Sequence, residues 1–137
     1  MFNEHGEFKV TLQGNKLLVV VTGAWNAETA KAYSDIVINT IGPVKDKCWG
    51  LISDVREWEL CTPDCELLIV KLSAQCREKG LKREAVVNNN IESVKLDLFH
   101  KHAKNHTSKT SLDVFQRRFF ETDTEAKEWL KNEGYGL

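Results

Sequence analysis

The chain has 137 residues, of which 42% are hydrophobic and 28% charged. This length suits one core, and the composition is that of a globular protein and excludes a disordered segment, so residues 1–137 are predicted to form a single domain. With 19 basic and 20 acidic side chains the formal net charge is −1, which excludes a general electrostatic attraction to nucleic acid or to an anionic membrane.

The N-terminal residues, the apolar runs and the cysteines together predict a protein that stays inside the cell. Residues 1–7 carry acidic side chains and no apolar run, so we expect no secretory signal. The longest apolar run, residues 17–21, is too short to insert into a membrane. The four cysteines, at positions 48, 61, 65 and 76, form no Cys-x-x-Cys pair. We therefore expect a cytoplasmic protein with free thiols.

The first predicted elements form a hairpin. Phe8, Val10 and Leu12 alternate with polar residues, which predicts a strand with one buried face. Gly14-Asn15 predicts the turn. The run 17–21 is apolar at every position and predicts a central strand covered on both faces.

A helix and a third strand follow the hairpin. Asn26 is a suitable N-cap for a helix that Gly42-Pro43 ends. Residues 49–55 predict the third strand, and the charged residues 56–61 predict a loop. Thr62-Pro63-Asp64 then predicts a helix start, because it combines a hydroxyl cap, a proline in the first turn and an acid at the positive end of the helix dipole.

The second half of the chain continues the alternation. The second helix is predicted to end at Gly80, and residues 83–87 predict a fourth strand. Asn88-Asn89-Asn90 predicts the cap of a helix with Ile91, Val94 and Leu98 on one face. Residues 112–120 predict the last strand, and the capping box that begins at Thr122 predicts a terminal helix.

The resulting order is β-β-α-β-α-β-α-β-α. Strands separated by helix-length segments are typically parallel, whereas the opening hairpin adds an antiparallel edge. We therefore predict an α/β domain with a mostly parallel sheet, an antiparallel N-terminal hairpin and flanking helices.

This order resembles the STAS domain family, the fold of anti-sigma-factor antagonists, and more closely its uncharacterised SpoIIAA-like branch. The resemblance rests on the strand that ends in Ile52-Ser53-Asp54-Val55 and the helix start at Thr62-Pro63. Phe119-Phe120 followed by Glu125-Ala126-Lys127-Glu128-Trp129-Leu130 is similar to the aromatic strand and "EA-x-x-WL" helix of that branch. The resemblance covers nearly the whole chain and implies a SpoIIAA-like fold.

The resemblance also implies a binding switch. In STAS domains of the sporulation type, phosphorylation of a serine at the start of the helix after the third strand releases a partner. Here Pro63 occupies the position of that serine, so the usual phospho-acceptor is absent. Thr62 carries the neighbouring hydroxyl, and we predict that it caps the helix rather than accepting phosphate.

The sequence contains no catalytic signature. It has no G-x-G-x-x-G, Walker-type, G-x-S-x-G or H-E-x-x-H motif, so we predict no enzymatic activity and no cofactor. Asp54 lies at the carboxyl end of a strand, where open α/β sheets place ligands. We favour a carboxylate that stabilises a turn.

Cysteines and histidines are the other candidates for chemistry. Cys65 and Cys76 share one predicted helix face with Leu68, Ile69 and Leu72, which predicts core packing. Cys61 lies just before the helix N-terminus, where a thiol pKa can fall, but we favour an unreactive loop thiol. If the helix from Ile91 continues, the spacing of His100, His102 and His106 prevents them from meeting around one ion, so we predict no metal site. If the helix ends before His100, the histidines lie on a loop with several lysines, which we interpret as a solvated surface. Without stacking aromatics beside them we predict no nucleic-acid site.

Trp58 lies between Glu57 and Glu59 and admits two interpretations. It either anchors a protein interface or folds back as a lid on the core. The leading hypothesis is a non-enzymatic regulatory or protein-interaction module that uses Asp54, Trp58, Leu60 and Thr62 to meet an unknown protein partner or a second copy of itself.

The alternative hypothesis is a carrier or sensor of a small apolar ligand. It rests on analogy with lipid-carrier domains of related layout and on an aromatic strand whose Phe115, Phe119 and Phe120 would line a cleft. Packing in the core also accounts for these aromatics.

Overall fold

The structure, a computed structural model, describes residues 6–90, 92–99 and 114–136, apart from the side chains of Leu60 and Val94. Its elements, in chain order, are β1 (Glu7–Gln13), β2 (Lys16–Trp25), α1 (Ala27–Thr40), β3 (Trp49–Cys61), α2 (Pro63–Glu78), β4 (Leu81–Val87), a 3-10 turn (Val94–Leu96) that leads into α3 over residues 97–99, β5 (Gln116–Phe120) and α4 (Asp123–Asn132). The predicted order of strands and helices is confirmed.

The five strands form one sheet in the order β1-β2-β3-β4-β5. β1 is antiparallel to β2, and all the other neighbours are parallel. Gly14, with a φ of 61°, makes the turn between the first two strands, since a positive φ strains residues that carry a Cβ. The predicted mixed sheet with an antiparallel N-terminal hairpin is therefore confirmed.

Helices cover both faces of the sheet. On one face, α1 and α2 enclose a core with the inward side chains of β2 and β3, and Leu96 after β4 joins that core. On the other face, Ala126 and Leu130 of α4 pack against Ile52, Ala85 and Val87. α4 therefore covers β3 and β4 and leaves the first hairpin more open, with Val20 exposed.

Three of the four predicted helix caps are present, at Asn26, Thr62 and Thr122. Asn26 Oδ1 accepts a hydrogen bond of 2.9 Å from the Thr29 amide, and Thr62 Oγ1 accepts one of 3.3 Å from the Cys65 amide. Thr122 Oγ1 accepts from the Glu125 amide at 3.2 Å. These bonds satisfy amides at helix N-termini that have no partner within the helix.

The predicted loop at residues 56–61 is wrong, because β3 continues to Cys61. Val20 pairs with Asp54 and Thr22 with Glu57, so two residues of β3 lie opposite one residue of β2. This β-bulge interrupts the alternation of inward and outward side chains. The alternating pattern that predicts a strand is therefore lost at residues 56–61, although the strand continues through them.

The third predicted helix and the last strand also begin later than expected. Asn90 Oδ1 accepts from the Glu92 amide at 2.9 Å, and Asn88 Nδ2 donates to the Asn90 carbonyl at 2.7 Å. These side chains therefore stabilise a turn before the 3-10 segment. The last strand begins at Gln116 rather than at 112, and residues 112 and 113 lie outside the described part of the chain. Within the described ranges, every helix is too short or too polar to cross a membrane.

Candidate functional site

A partly open cavity of about 70 Å³, here called the inner cavity, lies between the sheet and the helices α1 and α2. Inward side chains of the central strands, such as Val19 and Val55, form its floor. Val37 of α1 and Leu72 of α2 lie on the opposite side. Most of the wall is apolar, which is typical of a small-molecule site.

One wall of this inner cavity carries a buried ion pair. Arg117 Nε donates to Glu84 Oε1 at 2.8 Å, with the side chains 3% and 5% exposed. Ser53 Oγ donates to Glu84 Oε2 at 2.8 Å, and Arg117 Nη2 donates to Ser73 Oγ at 3.1 Å. Each charged group thus has partners, as burial of charge requires.

The sheet register produces this ion pair. Glu84 of β4 and Arg117 of β5 are direct neighbours across the parallel strands. The guanidinium lies over the rings of Phe99 and Phe115, at 5.6 and 5.1 Å from their centroids. Contact with aromatic faces is favourable for a cation that has lost its water.

Trp58 is only 5% exposed and lines the inner cavity. Its ring packs edge-on against Trp25 and Phe99, with centroids 6.0 and 6.3 Å apart. The position corresponds to a lid on the core and not to an exposed interface anchor. The strand continuation beyond the bulge directs this side chain inward.

The indole of Trp58 differs from two other buried indoles in its hydrogen bonding. Trp25 Nε1 donates to the Thr22 carbonyl at 2.8 Å, and Trp49 Nε1 donates to the Lys79 carbonyl at 2.9 Å. Trp58 Nε1 is buried and has no acceptor in the described part of the chain. A buried donor without an acceptor costs free energy, which is why such groups are rare in folded proteins.

Lys95 fixes the bulge from which Trp58 projects. Its Nζ donates to the carbonyls of Val55, Arg56 and Trp58 at 2.7, 3.2 and 2.8 Å. Burial lowers the pKa of Lys95, although acidic residues nearby oppose that effect. No sequence pattern singles out this lysine, because its acceptors are all main-chain atoms.

Asp54 binds the side chain of its own strand neighbour. Arg56 Nε and Nη2 donate to its two carboxylate oxygens at 2.9 and 2.7 Å, and the Arg56 amide donates at 3.1 Å. Burial raises the pKa of Asp54, but these hydrogen bonds outweigh it and the pKa falls below its usual value. The carboxylate is thus engaged within the strand.

The four residues predicted to form an interaction site do not share one surface. Alternation along β3 places Asp54 on the α4 side with Ile52, whereas Trp58 is buried on the side of α1 and α2. Thr62 is exposed at the start of α2. Leu60 belongs to β3, and its side chain lies outside the described residues.

The cysteines of α2 lie in the core, as their spacing predicted. Cys65 and Cys76 are buried, and burial is the main cause that raises the pKa of each thiol to about 12. Burial also raises the pKa of Cys61, so proximity to the helix N-terminus does not favour its thiolate. His100, His102 and His106 lie outside the described residues.

The predicted aromatic lining of a cleft is wrong. Phe119 and Phe120 point to opposite faces of β5: Phe119 packs against the core below α1 and α2, and the Phe120 ring lies 5.6 Å from that of Trp129 in α4. Neither these residues nor Phe115 lines the inner cavity. Its aromatic residues instead include Phe99, which sequence patterning did not distinguish.

Two solved structures share this architecture. An uncharacterized protein of the DUF3478 family with a SpoIIAA-like fold, from Shewanella loihica PV-4, matches with a TM-score of 0.70 and 14% identity over 95% of this chain and 97% of its own. The chain has the SpoIIAA-like fold. An anti-sigma factor antagonist from Mycobacterium paratuberculosis matches this SpoIIAA-like chain with a TM-score of 0.61 and 14% identity, over 93% of this chain and 96% of its own.

Sequence comparisons add nothing to this assignment. No family model matches the chain, and no curated protein matches it. At such low identity the two structures show the SpoIIAA-like fold alone, so the function has to be argued from the residues of this chain.

Proposed function

We propose that this chain is a non-enzymatic, cytoplasmic regulatory module that binds a protein partner along the outer side of α2. The supporting observation is an apolar stripe on that helix, formed by Pro63, Leu67, Val70 and Ala74. Leu67 is 72% exposed and Pro63 is exposed, while Ala74 is partly buried and Val70 packs in part against the core. The spacing i, i+4, i+7, i+11 places them along one side of a helix, as in helices that bind a groove in a partner.

The position of the stripe within the fold supports the same proposal. The stripe starts at the N-terminus of the helix after the third strand. In the STAS domains that this chain resembles, release of a partner is controlled at that position. One solved neighbour of the same fold is an anti-sigma factor antagonist. We therefore propose that the contact begins near Thr62 and extends along α2, in place of the surface that combined Asp54 and Trp58.

Regulation at this surface is proposed to differ from the sporulation-type switch. By the resemblance to STAS domains, Pro63 takes the position of the acceptor serine, and the Thr62 hydroxyl accepts a hydrogen bond from the Cys65 amide at 3.3 Å. Phosphorylation of Thr62 would exchange this capping hydroxyl for a phosphate. We propose that Thr62 serves as a cap and that partner release depends on another signal.

Affinity capture from the native cell tests the proposal. Tagged wild-type chain is compared with Leu67→Lys, which places a charge in the stripe, and with Ile36→Lys, a matched change at a 45% exposed residue of α1. We expect one partner to be captured by the wild type and by Ile36→Lys but lost with Leu67→Lys. Light scattering of the pure proteins identifies a second copy of the chain as that partner. Equal capture by all three proteins would contradict a contact through α2.

A further inference from the structure

Among the described residues that line the inner cavity, Trp58 has a fully buried side-chain donor without an acceptor. The carboxylate oxygens of Glu84 each accept a hydrogen bond, from Ser53 and Arg117. Trp58 Nε1, in contrast, is buried without an acceptor in the chain as described, and its residue lines the cavity. A molecule in the cavity that offers an acceptor would remove the cost of this buried donor.

The size of the cavity limits that molecule. About 70 Å³ is available, and one water-sized atom occupies roughly 10–15 Å³, so the space holds about five non-hydrogen atoms. Most of the side chains around it, among them Val19, Val37 and Leu72, are apolar. Most of the molecule must therefore be apolar as well, because polar atoms against this part of the wall would lose their water without gaining partners.

The charges at the wall require a neutral molecule. Glu84 and Arg117 neutralise each other at 2.8 Å, and their side chains are almost fully buried. A ligand anion would be repelled by Glu84, and a ligand cation by Arg117. Neither would find a free counter-ion among the described lining residues, and burial of an unpaired charge is strongly unfavourable.

From these three observations we propose that the inner cavity is a binding site for a compact neutral molecule, apolar over most of its surface, that accepts one hydrogen bond from Trp58 Nε1. Short ketones, aldehydes and ethers belong to this chemical class. Because Ile69, Leu72 and Cys76 of α2 line the cavity, such a molecule would sit directly beneath the helix of the proposed protein contact. The site does not depend on that contact, and either proposal stands if the other fails.

Two probes of equal shape test the hydrogen bond. Butan-2-one has five non-hydrogen atoms and one carbonyl acceptor, and 2-methylbut-1-ene has the same shape with a methylene group in place of the oxygen. Each is added at the same concentration to ¹⁵N-labelled protein, and the indole N–H signals are followed by NMR. We expect a saturable downfield shift of the Trp58 signal with butan-2-one and binding about tenfold weaker with the alkene, because a lost hydrogen bond to a buried donor has that magnitude.

Matched variants locate the effect. Trp58→Phe keeps the aromatic ring and removes the donor, so it should bind the two probes equally. Leu72→Phe fills part of the cavity and should weaken both probes while thermal melting shows a folded protein. The Trp49 indole, which already donates to the Lys79 carbonyl and does not line the cavity, should not move. Equal binding of both probes by the wild type, or no saturable shift at Trp58, would overturn the proposal.

Discussion

Glu84 and Arg117 face each other on neighbouring strands and form an ion pair of 2.8 Å inside the core. Two unit charges in such a place are stable only together, since each would otherwise be buried without compensation. Replacing one partner leaves the other charge buried and unpaired, whereas replacing both removes both charges. The two changes should therefore differ sharply in their effect on the free energy of unfolding.

We therefore expect Glu84→Leu to lower the free energy of unfolding by about 3–5 kcal/mol, because it leaves the Arg117 charge buried and unpaired. The double variant Glu84→Leu/Arg117→Met should regain most of that loss, since it removes both charges and keeps apolar volume. Urea unfolding at neutral pH measures both changes.

An exposed ion pair provides the control. Lys31 and Asp35 lie 3.8 Å apart on the surface of α1, and Lys31→Ala should change the free energy of unfolding by less than about 1 kcal/mol. A Glu84→Leu protein as stable as the Lys31→Ala protein would show that the interior pair is not needed.

Lys95 is expected to stabilise the bulge in β3. Lys95→Met keeps the apolar stem but removes the ammonium group, which donates hydrogen bonds to three main-chain carbonyls. We therefore expect a loss of about 1.5–3 kcal/mol in the free energy of unfolding. Lys71→Met, at an exposed position of α2, is the matched control. Tryptophan fluorescence should also change in the Lys95 variant, because the bulge positions Trp58; an unchanged spectrum and stability would contradict this role.

Asp54 should contribute a pH-dependent part of the stability. Its pKa is lowered in the folded protein, so the folded state binds fewer protons than the unfolded state, whose carboxyl titrates near 3.9. The contribution is present above that value and is lost as the pH falls through the lower, folded pKa. The difference in free energy of unfolding between wild type and Asp54→Asn should thus shrink between pH 6 and pH 2. A difference that stays constant over this range would argue against the Arg56 contact.

Thr62 is expected to act through its capping hydrogen bond. Thr62→Ala should lower the free energy of unfolding by about 1 kcal/mol, whereas Thr62→Ser keeps the hydroxyl and should be close to the wild type. Thermal or urea unfolding of the three proteins decides this. Equal stability of the alanine and serine variants would show that the hydroxyl is available for another role.

Local patterns predicted the fold well. The caps at Asn26, Thr62 and Thr122 each involve residues within three positions of one another, so they can be recognised from the sequence alone. The burial of Cys65 and Cys76 likewise followed from helical spacing. Such features need no knowledge of distant parts of the chain.

The site could not be predicted in the same way. The bulge after Asp54 shifts Trp58 to the inner face, and a bulge leaves no simple periodic signal. The contact of Glu84 with Arg117 depends on the register between β4 and β5. Glu84 directly follows Lys82 and Arg83 in β4, so its charge alone does not distinguish it from its neighbours or name its partner.

The strand order β1-β2-β3-β4-β5 follows the chain without reversal. In doubly wound α/β proteins, ligands bind in the crevice that opens where consecutive strands turn back in the opposite direction. This sheet has no such point, so neighbouring helices do not diverge from its edge. A small molecule would instead bind between the sheet and the helices α1 and α2, and its exchange rate would report how those two layers pack around the opening of the cavity.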